Sequence, residues 1–227
     1  MKTRRDRSVN DKIDVISRQN LRVELLSLTE KAEELIEVAG RISHRSQKRR
    51  KGDSKEDFIR MLIRMGHESV LEHASATFRI SGVSRALTHQ LVRHRICSYT
   101  QSSQRYVNQE IFNFIEPKGI MKNEDGNRIF LRSMKQSRET YIELQKLGIT
   151  NEDARFVLPT AIETEIVMTA NLREWRHVIE LRGKREAQWE IRMMAIEILR
   201  ILKKRVPVVF EDFIIDQEGQ IVKKVRL

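Results

Sequence analysis

The chain has 227 residues, of which 40% are hydrophobic and 33% are charged, and its formal net charge is +11. This composition predicts a folded protein with a highly charged surface and excludes an intrinsically disordered chain. No apolar run approaches the roughly 20 residues needed to cross a bilayer, and the basic start at 1–12 lacks the apolar core of a signal peptide. The single cysteine, Cys97, can form neither an internal disulfide nor a thiolate zinc cage. We therefore expect a cytoplasmic protein without a membrane partner.

The predicted elements, in chain order, indicate an α+β fold without internal repeats. Strand patterns occur at 21–28, 74–80 and 111–117, and a terminal hairpin is predicted at 213–225 with Gly219 in its turn. Helical spacing of apolar residues occurs at 29–39, 54–65, 83–95, 126–147, 151–158, 171–182 and 186–205. Residues 164–170 fit either a strand or the first turn of a helix.

Several helix ends are predicted from capping residues. Thr29 and Ser54 are expected to be N-caps, and Gly40 and Gly66 are expected to end the two helices that follow. Between these helices lies a dense basic block at 45–55, which predicts a mobile surface loop.

The segment at 89–106, HQLVRHRICSYTQSSQRY, concentrates side chains that bind ligands. These are arginines, histidines, amides and hydroxyls, namely Arg93, Arg95, Arg105, His89, His94, Gln90, Gln101, Gln104, Ser98, Ser102 and Ser103. The first half continues a helical pattern, and the polar run after Arg95 predicts an ordered binding loop. Guanidinium groups bind phosphate through paired, charge-assisted hydrogen bonds, so an anionic ligand is predicted. The alternative is a solvated basic helix end that offsets the helix dipole.

A second polar cluster lies on the helix that Asn171 is expected to cap. Asn171, Arg173, His177 and Arg182 alternate with apolar residues, so this helix can combine a buried face with a ligand-binding face. Glu174 follows Asn171 at the spacing of a capping box. The alternative is that these polar residues only cover the surface, as most exposed arginines do.

Two other classes of function fit parts of the sequence. The charge of +11 is compatible with nucleic-acid binding, although aromatic residues are only 6% and form no basic and aromatic platform. His94 beside arginines is compatible with a phosphoryl-transfer enzyme, but Arg95 stands where histidine phosphatases have a glycine. The segment HESVLEH at 67–73 has Leu71 where a zinc-binding HExxH helix has its second histidine, so no metal site is predicted.

The run RHRICSYTQSSQRY resembles the signature of flavin-dependent thymidylate synthases, an Arg-His-Arg triplet followed by a Ser-x-Arg ending. Further segments are similar to the same family and lie in the same order. They are AGRIS at 39–43, GHES with LEH at 66–73, ARFVLP at 154–159 and NLREWRHVIELRGKREAQWEIR at 171–192. The resemblance therefore covers most of the chain.

The resemblance implies a single domain over 21–227, after an N-terminal extension at 1–20, with a mixed β-sheet flanked by helices. It implies a homotetramer with active sites between subunits. The implied reaction is the reductive methylation of dUMP to dTMP, with methylenetetrahydrofolate as the carbon donor and NADPH-reduced FAD as the hydride source. No nucleic-acid partner is expected.

The resemblance also assigns roles to individual residues. Arg182 is expected to be catalytic, because it would contact the uracil ring and favour ionisation at N3. The implied cofactor-binding residues are Ser43, His67, Ser69, Arg93, His94, Arg95, Gln101, Asn171, Arg173 and His177. The implied substrate-binding residues are Gln90, Leu91, Arg93, Gln101, Ser102, Ser103, Gln104, Arg105, Arg155 and Arg182.

Three positions depart from the commonest family pattern. Gln101 often corresponds to glutamate, His177 to asparagine and Glu186 to histidine in similar sequences. We expect these departures to change local hydrogen bonds, and to affect the folate or redox side of the cycle.

Overall fold

The computed structural model of the protein describes residues 21–43 and 54–225. The described chain separates into two units, which we call the helical unit (104–162) and the sheet unit (the remaining described residues). The predicted extension at 1–20 and most of the basic block at 45–55 lie outside the described residues. The boundary between an extension and a domain at residue 21 stays a prediction.

The sheet unit contains a four-stranded sheet in the order β1-β2-β4-β3. Its strands are β1 (Arg22–Leu28), β2 (Ser75–Ser84), β3 (Ser98–Gln101) and β4 (Glu163–Asn171). Side chains of β4 alternate between buried and half-buried, which settles the ambiguous segment 164–170 as a strand. The predicted α+β class with a helix-flanked sheet is confirmed. All strand pairs described are antiparallel, so the expected mixture of strand directions is wrong.

Helices make up much of the remaining structure. They are α1 (Ala32–Ser43), α2 (Lys55–Arg64), α3 (Arg85–Leu91), α4 (Lys118–Met121), α5 (Glu124–Lys146), α6 (Asn151–Ala154), α7 (Leu172–Arg182) and α8 (Trp189–Arg205). Short 3-10 helices occur at Glu68–His73, Arg155–Val157 and Val208–Phe210. A hairpin of β5 (Phe213–Asp216) and β6 (Ile221–Lys224) follows α8, as predicted. None of the described helices combines the length and the apolar character that a membrane span requires.

The predicted ends of α1 are wrong, and the reason lies in tertiary packing. The Thr29 hydroxyl donates to the carbonyl of Ser75 instead of capping a helix. Helix α1 continues through Gly40, where a Cβ would lie 2.8 Å from Leu62 Cδ1 and 2.9 Å from Phe58 Cε1. Gly40 therefore allows α2 to approach α1 closely, and it does not end the helix.

The ends of α2 and α5 agree with their sequence signals. Ser54 accepts a hydrogen bond from the Asp57 N–H, as expected of an N-cap. Gly66 and Gly148 follow the two helices with φ of +75° and +82°, a conformation that glycine adopts without strain.

The chain passes from β2 into α3 without a loop. Val83, predicted to lie on the helix, is a buried residue of β2, and the strand register shifts between Ile80 and Val83. Ser84 then caps α3 by accepting from the Leu87 N–H. The buried carboxylate of Glu190 accepts both the N–H and the hydroxyl of Ser84, each at 2.6 Å. This junction fixes the start of the helix that carries the first polar cluster.

The helical unit is built around α5, the long helix predicted at 126–147. The predicted strand at 111–117 is wrong, because the segment forms one isolated bridge between Phe114 and Ile162. A single bridge has too few of the repeated hydrogen bonds between chain segments that define a β-strand. Tyr141 of α5 is fully buried, and its hydroxyl donates to Asn151 Oδ1 at the start of α6.

Candidate active site

The Arg-His-Arg triplet lies in the turn between α3 and β3. Helix α3 ends at Leu91, and the Tyr99 hydroxyl lies 2.8 Å from the Leu91 carbonyl and 3.0 Å from the His94 carbonyl, to which it donates. Residues 98–101, expected to belong to a binding loop, instead pair with β4 as strand β3. The ends of the turn are therefore anchored to α3 and to the sheet, which holds the triplet in place.

His94 is the buried member of the triplet, with 5% of its surface exposed. Its Nδ1 lies 3.3 Å from Glu174 Oε1, and its Nε2 accepts a hydrogen bond from Arg182 Nε at 3.0 Å. Burial lowers the pKa of His94 to about 4, and the charges of Arg182 and His177 add to this effect. The imidazole is therefore neutral at pH 7.

Arg93, Arg95 and Arg182 have no carboxylate partner among the described residues. Arg93 and Arg95 are exposed, whereas Arg182 is half-buried. Burial lowers the pKa of Arg182, and the neighbouring charge of Arg93 lowers it further. An uncompensated group of guanidinium charges favours an anionic ligand.

Gln101 lies at the end of β3 with its amide group oriented by two threonines. Its Nε2 donates to Thr88 Oγ1 at 3.0 Å and to Thr164 Oγ1 at 3.3 Å. Because both donors of the amide point to the protein, Oε1 is the atom left for a ligand. This position can accept a hydrogen bond but does not carry a negative charge.

Helix α7 presents the second polar cluster at a cavity of about 560 Å³. Asn171 caps the helix by accepting from the Glu174 N–H, as predicted. The side chain of Glu174 does not complete the expected capping box, because it contacts His94 instead. The polar lining of the cavity comprises Glu68, Glu72, Asn171, Arg173, Glu174, Arg176, His177, Glu180 and Lys224.

The glutamates of this cavity are all engaged with protein groups. Glu72 pairs with Arg173, Glu68 with Arg176, Glu180 with Lys224, and Glu174 with His94. The charges of Glu72, Glu68 and Glu180 are therefore balanced by cations, whereas Glu174 contacts a neutral imidazole and its pKa is raised by burial. The cavity volume lies within the range typical of small-molecule sites, about 300–1,000 Å³.

The remaining predicted residues of the sheet unit vary in exposure. His67 and Ser69 are exposed at the 3-10 helix Glu68–His73. Leu91 is fully buried, so its side chain belongs to the core. Ser102 is exposed, and its carbonyl accepts a hydrogen bond from Arg85. Ser43 ends α1, but its side chain lies outside the described part of the chain.

Three predicted substrate-binding residues, Gln104, Arg105 and Arg155, lie in the helical unit. Arg105 Nη2 donates to Glu152 Oε2 at 3.0 Å, and Arg155 Nε donates to the Glu152 carbonyl at 3.0 Å. Gln104 is buried, and its Nε2 has no hydrogen-bond partner within the described residues. A buried amide donor without a partner is uncommon and is consistent with a ligand acceptor.

Comparisons with known proteins cover most of the chain. A family model described as thymidylate synthase complementing protein matches residues 24–208. The flavin-dependent thymidylate synthase of Geobacter sulfurreducens is 42% identical over 200 residues, which cover 85% of this chain and 86% of that protein. That of Pyrococcus abyssi is 42% identical over 195 residues, covering 82% of this chain and 80% of that protein.

The chain belongs to the flavin-dependent thymidylate synthase family. The predicted resemblance, the predicted activity and the status of the chain as an enzyme are thereby confirmed. A solved structure supports the same relationship. It is the UMP/dUMP methylase PolB from Streptomyces cacaoi bound with 5-Br dUMP, with a TM-score of 0.75 and 26% identity. The match covers 86% of this chain and 94% of that chain.

In this flavin-dependent thymidylate synthase, the sequence predicts most of the polar residues of the site, but it does not predict the acids that contact His94 and Arg173. Glu174 was identified only as part of a cap, and Glu72 had no assigned role. Their contacts with His94 and Arg173 join residues about 80 and 100 positions apart. The sequence offers one local signal for these acids. Glu174 directly follows Arg173, and Glu72 lies three residues after Ser69 in the same short helix.

Proposed function

We propose that this chain converts dUMP to dTMP, using methylenetetrahydrofolate as the carbon donor and NADPH as the source of reducing equivalents through bound FAD. The observation that carries the residue assignment is the group of uncompensated arginines at the Arg-His-Arg turn. Arg93, Arg95 and Arg182 supply positive charge without a carboxylate partner among the described residues. All of the proposed ligands are anionic, so such a site lowers the cost of bringing them together.

The cavity at α7 has a donor set that suits a flavin dinucleotide. Arg173 and His177 can donate to phosphate or carbonyl oxygens, and Asn171 can offer an amide beside the helix N-terminus. Three of the four acids of the cavity are paired with cations, which reduces the electrostatic repulsion of an anion there. We assign Arg93, His94, Arg95, Asn171, Arg173 and His177 to FAD, with Ser43, His67, Ser69 and Gln101 near it. FAD supplies the redox chemistry when bound.

We assign Gln90, Leu91, Arg93, Gln101, Ser102, Ser103, Gln104, Arg105, Arg155 and Arg182 to dUMP. Arg105 and Arg155 can each provide the charge-assisted hydrogen bonds that a nucleotide phosphate requires. The buried Gln104 donor supports a ligand in the helical unit. Leu91 can contribute only main-chain atoms, because its side chain is in the core. The bound 5-Br dUMP in the PolB structure supports a uracil nucleotide as the substrate class.

Arg182 is the proposed catalytic residue. Its guanidinium is held by His94 Nε2 and by the Gln90 carbonyl, which accepts from Nη2 at 3.0 Å. A fixed positive charge stabilises negative charge that develops on the pyrimidine ring, and it does so without reorganising during the reaction. A neutral amide at this position would provide a weaker effect.

We also propose that the protein forms a homotetramer and is located in the cytoplasm. Several large apolar residues of the helical unit are exposed, which is typical of a surface that another subunit covers. They are Tyr106, Val107, Ile111, Ile129, Leu147, Ile149 and Phe156. Light scattering coupled to size-exclusion chromatography would test this part, with a tetramer expected and a monomer contradicting it.

The function is tested by reconstituting the purified protein with FAD, removing the excess and titrating dUMP while recording the visible spectrum. We expect a retained flavin spectrum that dUMP perturbs, followed by dTMP formation after methylenetetrahydrofolate and NADPH are added. A colourless protein that does not respond to dUMP would contradict the proposal. Strongly salt-dependent binding to random DNA by that colourless protein would favour the nucleic-acid alternative.

A further inference from the structure

Glu174, His94 and Arg182 form a continuous chain of hydrogen bonds at the proposed site. Arginine is always protonated and can only donate, so the bond from Arg182 Nε makes His94 Nε2 an acceptor. A neutral imidazole with an acceptor at Nε2 carries its proton on Nδ1. That proton points to Glu174 Oε1, at a separation of 3.3 Å between the heavy atoms. The contacts on both sides of the ring therefore specify one tautomer.

This chain is buried at one end and open at the other. Glu174 is 8% exposed and His94 is 5% exposed, whereas Arg182 is half-buried. Arg182 donates one hydrogen bond from Nε to His94 Nε2 and another from Nη2 to the Gln90 carbonyl. These two bonds fix one edge of its guanidinium to the protein. Nη1 has no partner among the described residues and is the group left for a ligand.

We propose that Glu174 is a positioning residue for Arg182 and acts through His94. This inference rests on the proposed function, in which Arg182 contacts the uracil ring. Glu174 accepts the Nδ1 proton, and this keeps the Nε2 lone pair directed at Arg182. Without that acceptor the ring can carry its proton on Nε2, where it would oppose the Arg182 N–H and release the guanidinium from its fixed orientation.

A metal ion is the alternative occupant of this cluster. His94, Glu174 and His177 bring ligand atoms within 4.8 Å of one another. Ligation by His94 through Nδ1 would require the remaining proton to sit on Nε2, facing the donor of Arg182. The observed hydrogen bond to Nε2 therefore favours the positioning role over metal ligation.

The test is a double-mutant cycle on Glu174→Ala and Arg182→Ala, with flavin content, dUMP affinity and dTMP formation measured for each protein. We expect Glu174→Ala to lower kcat/KM for dUMP about tenfold, as loss of an orienting partner does, and to lower flavin content by a smaller factor. Because Glu174 acts through Arg182, the double variant should be no worse than Arg182→Ala. A role in packing would instead add to the loss.

Glu174→Gln provides a second variant in case the alanine variant fails to fold. Its amide oxygen can still accept the Nδ1 proton, so we expect turnover within about threefold of the unmodified protein. Glu211→Gln is the matched control, because this acid pairs with Arg60 in the same unit. Its turnover should be unchanged.

The possible failures are distinguishable. Additive losses in the cycle, or a glutamine variant as impaired as the alanine variant, would overturn the positioning role while leaving the proposed function intact. Full activity of Arg182→Ala would overturn both the catalytic assignment of Arg182 and the inference built on it. Zn²⁺ retained by the purified protein after dialysis, but absent from Glu174→Ala, would also overturn the positioning role in favour of the metal.

Discussion

Two of the three arginines of helix α7, Arg176 and Arg182, differ in how their charge is balanced. Arg176 is 2% exposed and donates two hydrogen bonds of 2.7 Å to the buried carboxylate of Asp212, with Glu68 as a second acid. Burial works to lower the pKa of Arg176, but the bonds and charges of Asp212 and Glu68 outweigh it and raise the pKa. The positive charge of Arg176 is therefore balanced by acidic side chains within the protein.

Arg182 is the last residue of the same helix, and among the described residues its hydrogen bonds go to neutral groups, His94 and the Gln90 carbonyl. Its pKa is lowered by burial and by Arg93. Holding a cation with neutral partners fixes its position but leaves its charge available to a ligand. The contrast indicates that the balance of charge, more than the presence of arginine, separates a structural residue from a binding residue.

The largest expected effect is on stability, and it follows from removing Arg176, whose charge is balanced within the protein. Arg176→Ala would leave Asp212, which is 2% exposed, as a buried carboxylate without its cation. We expect the free energy of unfolding to fall by about 3–5 kcal/mol, measured by urea denaturation. Arg60→Ala, at an exposed ion pair with Glu211, is the control and should cost much less. Equal losses for the two variants would mean that burial of the ion pair does not matter.

A smaller effect concerns the pH dependence of His94. Its pKa is about 4 in the folded protein and about 6.5 in an unfolded chain, so the unfolded state binds more protons between these values. The contribution of His94 to the free energy of unfolding should therefore fall by about 2 kcal/mol from pH 7 to pH 4.5. Glu174 contributes with the opposite sign, because burial raises its pKa and the folded state takes up its proton first.

Comparison with a variant isolates the contribution of His94. In His94→Asn the fall in the free energy of unfolding between the two pH values should be reduced by about 2 kcal/mol. His89→Asn is the control, because His89 is exposed on α3 and its replacement leaves the buried His94 in place, so the pH profile should match that of the unmodified protein. Identical pH profiles for His94→Asn and the unmodified protein would contradict the buried, neutral imidazole.

The smallest expected effect is on ligand affinity, and it tests whether Arg105 binds dUMP and not FAD. Arg105→Ala should weaken dUMP binding by about tenfold, the value of one charge-assisted hydrogen bond, and leave FAD binding unchanged. The two affinities can be measured by flavin fluorescence and by dUMP titration. Arg128→Ala, at an exposed pair with Asp125 in the same unit, should change neither affinity. Equal losses of both ligands in Arg105→Ala would contradict the proposed partition.

The sequence predicted best what depends on neighbouring residues. Strand β1, the Ser54 and Asn171 caps, and α8 followed from patterns within a few turns of chain. The helical spacing of apolar residues predicted at 186–205 is confirmed, since the residues that share one face of α8 are all 0% exposed, namely Ile191, Met194, Ala195, Ile198 and Leu202. These features rest on periodicity and capping, which a sequence displays directly.

What the sequence could not show depends on distant partners. Gly40 carries a stop signal, yet the close approach of α2 keeps it within a helix. Residues 98–101 look like a polar loop, but β4 supplies the hydrogen bonds that make them a strand. Glu174 has the spacing of a capping residue, and only the fold reveals that His94 competes for its carboxylate.

Measuring the Arg182→Gln variant tests the central claim most directly, because glutamine removes the charge but keeps a polar side chain. Flavin content and dTMP formation would be compared with the unmodified protein and with Arg200→Gln, which changes a partly exposed arginine of α8 that pairs with Glu197. We expect full flavin content and a loss of dTMP formation of about a hundredfold or more, as for other preorganised electrostatic groups. Unchanged dTMP formation would show that the uncompensated charge of Arg182 is not used in the reaction.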